Sequence, residues 1–188
     1  MLNLNDYECY SDDWTRSNPD LVLHLPTKTP QHPEYVDHVL VEKTPGGALL
    51  AVWTMAVTEH ALGVFFARSE DEGQTFTTPT MIDGPQGRPG QDCSFGFPVV
   101  SLTGRIYCFY NWSPGTGEGR INALLKCKYS DDDGQTWKDG GVEISYRRSK
   151  FDHPDPSVLS RAIVWQKPIH DSKGRPIAGL TRSTAMEV

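Results

Sequence analysis

Ser69-Glu70-Asp71-Glu72-Gly73-Gln74-Thr75-Phe76 and Ser130-Asp131-Asp132-Asp133-Gly134-Gln135-Thr136-Trp137 are two copies of one pattern, S-x-D-x-G-x-T-[WF], 61 residues apart. The residue types describe a tight turn. Gly73 and Gly134 suit a positive φ, where other side chains are strained. Asp71 and Asp132 are short carboxylates able to accept the turn's own amide N–H groups. Phe76 and Trp137 are placed to anchor a hairpin in an apolar core. With Ser69, Thr75, Ser130 and Thr136, these residues are expected to be structural rather than catalytic. A calcium loop is the sharper alternative for Asp131-Asp132-Asp133, and spacing excludes it. With Gly134 at position 6 of an EF-hand loop, Tyr129 and Gly140 would occupy positions 1 and 12, and neither is a suitable ligand. No metal and no cofactor are expected.

Outward from these turns the chain reads as short runs of Val, Ile, Phe, Tyr and Trp punctuated by Gly and Pro. Strands are predicted over 38–43, 48–55, 63–68 and 76–82, then over 96–101, 105–112, 123–129 and 137–144. A third group starts at 162–168 and 176–181. No segment holds a helical period, so the class is all-β. Each group opens on a Gly-bearing turn: Thr44-Pro45-Gly46-Gly47, Thr103-Gly104-Arg105, and Asp171-Ser172-Lys173-Gly174. Repetition of four-stranded units is the signature of a β-propeller, which needs roughly 4–8 blades to close. The expected organisation is a lead-in over 1–34, with a strand at 21–25, followed by a partial propeller over 35–188. Blade 1 falls at about 35–83, blade 2 at about 94–145, and the start of blade 3 at about 160–188. Two and a half blades leave open edges, to be covered by remaining blades or by self-association.

Bulk properties exclude several classes. The 188 residues carry a formal charge of −6, which disfavours a phosphate-binding face and hence nucleic acid. The start, MLNLNDYECYSDDW, has neither the basic nor the apolar region of a signal peptide. No apolar run approaches the ~20 residues a membrane helix needs. A soluble protein is expected, cytoplasmic if the chain is complete at its N-terminus. Cys9, Cys93, Cys108 and Cys127 show no CxxC spacing, which argues against a zinc ribbon or redox pair. Buried free thiols are the favoured reading of Cys108 and Cys127, with a disulfide between them as the alternative. Gly115, Gly117 and Gly119 lack the GxGxxG spacing of a phosphate cradle and read as a loop.

The S-x-D-x-G-x-T-[WF] pattern resembles the Asp-box of the sialidase (neuraminidase) superfamily. The stretch from His38 to Ala51, HVLVEKTPGGALLA, looks like the first strand pair of a sialidase blade. The resemblance covers the chain from about Tyr35 onward and implies a propeller that is six-bladed when complete. It also implies a glycoside hydrolase acting on a terminal acidic sugar of a glycan or glycoconjugate.

The turn order points to one face. Antiparallel strands alternate direction, so successive turns alternate between the two ends of a blade. If the Asp-boxes join third and fourth strands, they share an end with the Gly-bearing first turns. In sialidases that end lies away from the substrate. The opposite end collects 31–37, 56–62, 83–94, 113–122 and 145–161. On it fall His32, Asp37, His38, Glu59, His60, Arg88, Asp92, Arg120, Arg147, Arg148, Asp152, His153, Asp155 and Arg161. Glycoside hydrolysis commonly uses two carboxyl groups. Glu59 and Asp92, from adjacent blades, are the candidate pair, and His38 is a third catalytic candidate as acid, base or sugar ligand. Arg161 is placed to grip a carboxylate, with Asp37, Arg88 and His60 as further substrate contacts. Each of these also fits a solvated loop position. Trp53 and Trp112 follow the strand pattern and are expected in the core.

One departure qualifies the resemblance. Sialidases carry an Arg-Ile-Pro motif in the first inner strand, and here that stretch is Asp37-His38-Val39-Leu40. The sialidase Tyr–Glu pair would fall on blades beyond this sequence. A related propeller acting on another sugar fits equally well. A polysaccharide lyase using His and Tyr, and a non-catalytic glycan- or protein-binding propeller, are the alternatives.

Overall fold

The computed structural model describes residues 28–29, 32–33, 36–58, 61–85, 91–114, 124–145, 147–157 and 161–183. The strands in chain order are β1 (Lys28–Thr29), β2 (His32–Pro33), β3 (Val36–Lys43), β4 (Leu49–Thr58), β5 (Ala61–Ser69), β6 (Thr80–Asp83) and β7 (Gln91–Val100). They continue with β8 (Ile106–Pro114), β9 (Leu124–Ser130), β10 (Lys138–Ser145), β11 (Arg161–Ile163), β12 (Ile169–His170), β13 (Pro176–Ile177) and β14 (Thr181–Ser183). The described residues are all-β. Two four-stranded antiparallel sheets, β3-β4-β5-β6 and β7-β8-β9-β10, are each wound in chain order. The small ladders are β1-β2, β11-β14 and β12-β13. The expected strand at 21–25 lies outside the described residues. No helix among the described residues is long and apolar enough to cross a membrane.

Central strands are apolar on both faces because both faces are covered. Leu50, Ala51, Val52 and Trp53 of β4 are each at most 2% exposed. β7 packs across β3, β4 and β5. The core between the sheets joins Leu50, Val52, Val64, Phe66 and Ile82 to Cys93, Ile106, Cys108 and Tyr110. A second cluster on the far side of β7-β8-β9 takes in Phe97, Val99, Leu125 and Val164, which ties the 161–183 hairpin to the second sheet. Cys93, Cys108 and Cys127 are buried free thiols, and burial pushes each above its ordinary pKa.

The first turns of the three units are congruent. Thr44 N donates to Ala48 O at 2.8 Å, Ser101 N to Arg105 O at 2.8 Å, and Asp171 N to Arg175 O at 3.0 Å. The S-x-D-x-G-x-T turns are congruent as well. Ser69 Oγ accepts from Gly73 N at 2.8 Å and donates to Asp71 Oδ1 at 2.7 Å. Asp71 in turn accepts from Thr75 N at 2.8 Å and Thr75 Oγ1 at 2.5 Å. Ser130, Asp132, Gly134 and Thr136 repeat all four bonds at the same distances. Gly73 and Gly134 take φ 89° and 83°. Phe76 packs beside Trp53 and Ala67, and Trp137 meets Phe66 edge-on at 5.7 Å.

Three expected boundaries shift, each for a local reason. The fourth strand of the first sheet starts at Thr80 rather than Phe76. Thr77 still bonds Arg68 through its amide and its hydroxyl, but Pro79 has no N–H to continue the ladder. The third unit's hairpin is split into β11-β14 and β12-β13, with Pro168 in the break. The second unit's first strand starts at Gln91, not 96, so Asp92 belongs to a strand rather than a linking loop.

Candidate functional site

Register separates the two ends of the sheets. In the first sheet Leu49 pairs Ser69 at the end carrying the S-x-D-x-G-x-T turn, and Thr58 pairs Ala61 at the other. Val36 pairs Met55, so the start of β3 lies at the Thr58 end. In the second sheet Gln91 pairs Pro114 and Ile106 pairs Ser130, which repeats the arrangement. Asp37, His38 and Asp92 therefore lie toward one end, and Gly73 and Gly134 at the other.

At that end β3 and β7 share a bulge. Pairing skips between Asp37 and Leu40 in β3, and between Ser94 and Phe97 in β7. His38 and Phe95 sit at the same point of the two bulges with φ 57° and 54°. Positive φ is uncommon for His and costly for Phe, so the surroundings must hold it. Asp37 Oδ1 accepts the His38 N–H at 2.6 Å. The Phe95 N–H donates to Thr54 Oγ1 at 2.8 Å. Thr54 is the cross-strand partner of Asp37, and Asn111 holds the same place opposite Ser94. Asn111 Nδ2 donates to Ala162 O at 2.8 Å, so each second strand reaches the first strand of the next unit through a buried polar side chain.

Rings from three units meet here. His38 and Phe95 lie 5.6 Å apart, Phe95 and Trp165 5.3 Å, and His38 and Trp165 6.0 Å, all edge-to-face. His38 Nε2 lies 3.0 Å from Trp165 O. A carbonyl only accepts, so Nε2 carries the proton of this bond and Nδ1 is the other ring nitrogen. That Nδ1 is enclosed without a hydrogen-bond partner.

Asp92 is 4% exposed, and its Oδ1 accepts the Leu62 N–H at 2.6 Å. It thus holds the start of β5, directly after residues 59–60 in the chain. Glu59, His60 and Arg88 lie outside the described residues. Arg161 begins β11, and its side chain is likewise undescribed. Arg182 pairs with Ala162, at the level of Thr54 and Asn111. Its Nη1 meets Asp152 Oδ2 at 3.0 Å, and its Nη2 donates to Arg147 O. The Asp152 side chain is 2% exposed and also accepts the Ser149 N–H. Arg148 donates to the carbonyls of His153, Asp155 and Pro156, so two guanidiniums shape the 147–157 loop.

Phe95, Trp165 and Arg182 escaped the reading of the sequence. The signal for Phe95 was its place in Ser94-Phe95-Gly96-Phe97, matching Asp37-His38-Val39-Leu40 within corresponding strands. The other two carried no motif.

The end of the sheets opposite the S-x-D-x-G-x-T turns thus combines aromatic rings, an imidazole and carboxylates, a set suited to a ring-shaped polar ligand. The chain matches no protein-family model and no curated protein.

Proposed function

We propose that this chain supplies blades of a sialidase-like β-propeller that hydrolyses a glycoside of a terminal acidic sugar. Its site is the end where His38, Phe95 and Trp165 meet. That convergence of β3, β7 and the segment just after β11 carries the reading, because the inner strands of a propeller meet around the axis. The congruent S-x-D-x-G-x-T turns, Asp-boxes in this reading, and the two successive four-stranded sheets support the propeller. The ring is completed by further blades or by a second copy of the chain.

In this reading Glu59 and His38 face the substrate, with His60, Arg88, Asp37 and Arg161 as its contacts. Asp92 acts through its bond to Leu62, as a positioning residue for the strand that follows Glu59 in the chain. The first strand lacks the arginine of sialidases, so an acidic sugar other than sialic acid fits as well.

The test uses the protein with the blades that complete its ring, assayed on 4-methylumbelliferyl glycosides of sialic, glucuronic and galacturonic acids, with neutral hexosides as controls. Hydrolysis of an acidic glycoside is expected. Glu59→Gln should lower kcat about 100-fold or more, whereas Asp92→Asn, which keeps an oxygen to accept the Leu62 amide, should retain more turnover than Asp92→Ala, which removes it. A folded, cooperatively melting protein that cleaves none of the panel would overturn the reading.

A further inference from the structure

Resting on that glycosidase reading, we infer that Trp165 is the stacking platform for the pyranose ring of the substrate. Three tryptophans of the described residues are engaged in the core. Trp53 is 2% exposed, Trp137 Nε1 is enclosed, and Trp112 packs on the core with the Lys126 ammonium 3.4 Å from its ring centre. Trp165 is different, with 44% of its surface exposed.

The exposed ring is nevertheless held. Phe95 meets it at an interplanar angle of 69° and His38 at 73°, while His38 Nε2 grips its backbone carbonyl. A pre-set aromatic plane loses little rotamer freedom when a ligand arrives, and so converts more of its contact into affinity. Indole suits a sugar because its π-face accepts the C–H groups of a pyranose, while the hydroxyl groups turn outward to polar partners. Phe95 and His38 accept strained backbone to complete the cluster, and that strain is a cost a merely filled surface would not require. The class of ligand is a pyranose with one apolar C–H face, seated flat on Trp165.

The experiment compares Trp165→Ala and Trp165→Phe with the parent, using the 4-methylumbelliferyl glycoside that the protein cleaves and the free sugar it releases. Trp165→Ala should raise KM about tenfold with kcat changed less than about threefold, and Trp165→Phe should stay near the parent. Intrinsic tryptophan fluorescence should respond saturably to the free sugar, and Trp165→Phe should lose the response while still binding. A melting temperature close to the parent's establishes that the variants are folded. Active enzyme with unchanged KM in Trp165→Ala and an unchanged fluorescence response in Trp165→Phe overturns the platform and leaves the glycosidase reading standing. If no glycoside is cleaved, that reading falls alone when glucuronic acid still titrates the fluorescence of the parent but not of Trp165→Phe. Absence of any titration sinks both.

Discussion

Asp133 of the second sheet closes on Arg68 of the first, with Arg68 Nη2 donating to Asp133 Oδ2 and Arg68 Nε to the Asp133 carbonyl, both at 2.8 Å. The same carboxylate accepts Thr44 Oγ1 at 2.8 Å and Gly46 N at 2.9 Å. One turn of the second unit thus clasps the first turn of the first unit and the end of its β5 strand. The Arg68 and Asp133 side chains are 11% and 22% exposed, so water screens this pair less than the neighbouring link from Arg68 to Glu70, which is 76% exposed.

A double-mutant cycle of Arg68→Ala and Asp133→Ala should return a coupling of about 1–2 kcal/mol in denaturant unfolding. Removing Glu70 should change stability by less than about 0.5 kcal/mol. Additive single mutants would mean that the clasp does not hold the sheets together.

The turn carboxylates link stability to acid. Hydrogen bonds from Thr75 and Ser69 hold the Asp71 carboxyl at about 2, below its ordinary 3.8. At Asp132 burial favours the neutral form, but hydrogen bonds from Thr136 and Ser130 outweigh it and again set a value of about 2. A depressed folded-state pKa means that the unfolded chain takes up protons first. The stabilisation is therefore complete above about pH 5 and is lost as pH falls from about 4 toward 2. Asp132→Ala should cost about 1–2 kcal/mol at neutral pH because the Thr136 amide and the Thr136 and Ser130 hydroxyls lose their acceptor. It should also flatten the acid limb of a stability–pH curve. An unchanged curve would exclude this role.

Gly96 is a steric requirement between the sheets. A Cβ there would meet Val64 Cγ1 at 2.4 Å and Val52 Cγ1 at 3.1 Å. Gly96→Ala should destabilise by about 1–3 kcal/mol, and Val64→Ala in the same chain should recover part of that loss. The corresponding residue of the first unit, Val39, is 53% exposed, so Val39→Ala should change the denaturation midpoint far less.

Thr54 links the first sheet to the Phe95 bulge. Thr54→Val keeps the volume and strands the buried Phe95 amide, at about 1–3 kcal/mol, whereas Thr54→Ser keeps the hydroxyl and should recover much of it. Amide exchange at Phe95 should speed up in the valine variant alone. Equal exchange in valine and serine variants would remove the hydroxyl from the account.

The turns and the strand order were legible in the sequence because their causes are local. Every bond from Ser69 to Thr75 spans four residues or fewer, so Ser, Asp, Gly and Thr at those spacings suffice to specify the turn. The three first turns are equally local, which made the period readable. The end of the sheets carrying the candidate site was different. Asp92 read as an exposed loop carboxylate and proved buried, because its partner is an amide 30 residues away. The Phe95 amide depends on Thr54 across 41 residues, Arg182 finds Asp152 across 30, and the His38 imidazole finds the Trp165 carbonyl across 127. Contacts of that range leave no spacing to read. They exist only once the sheets have stacked and brought the starts of successive first strands together.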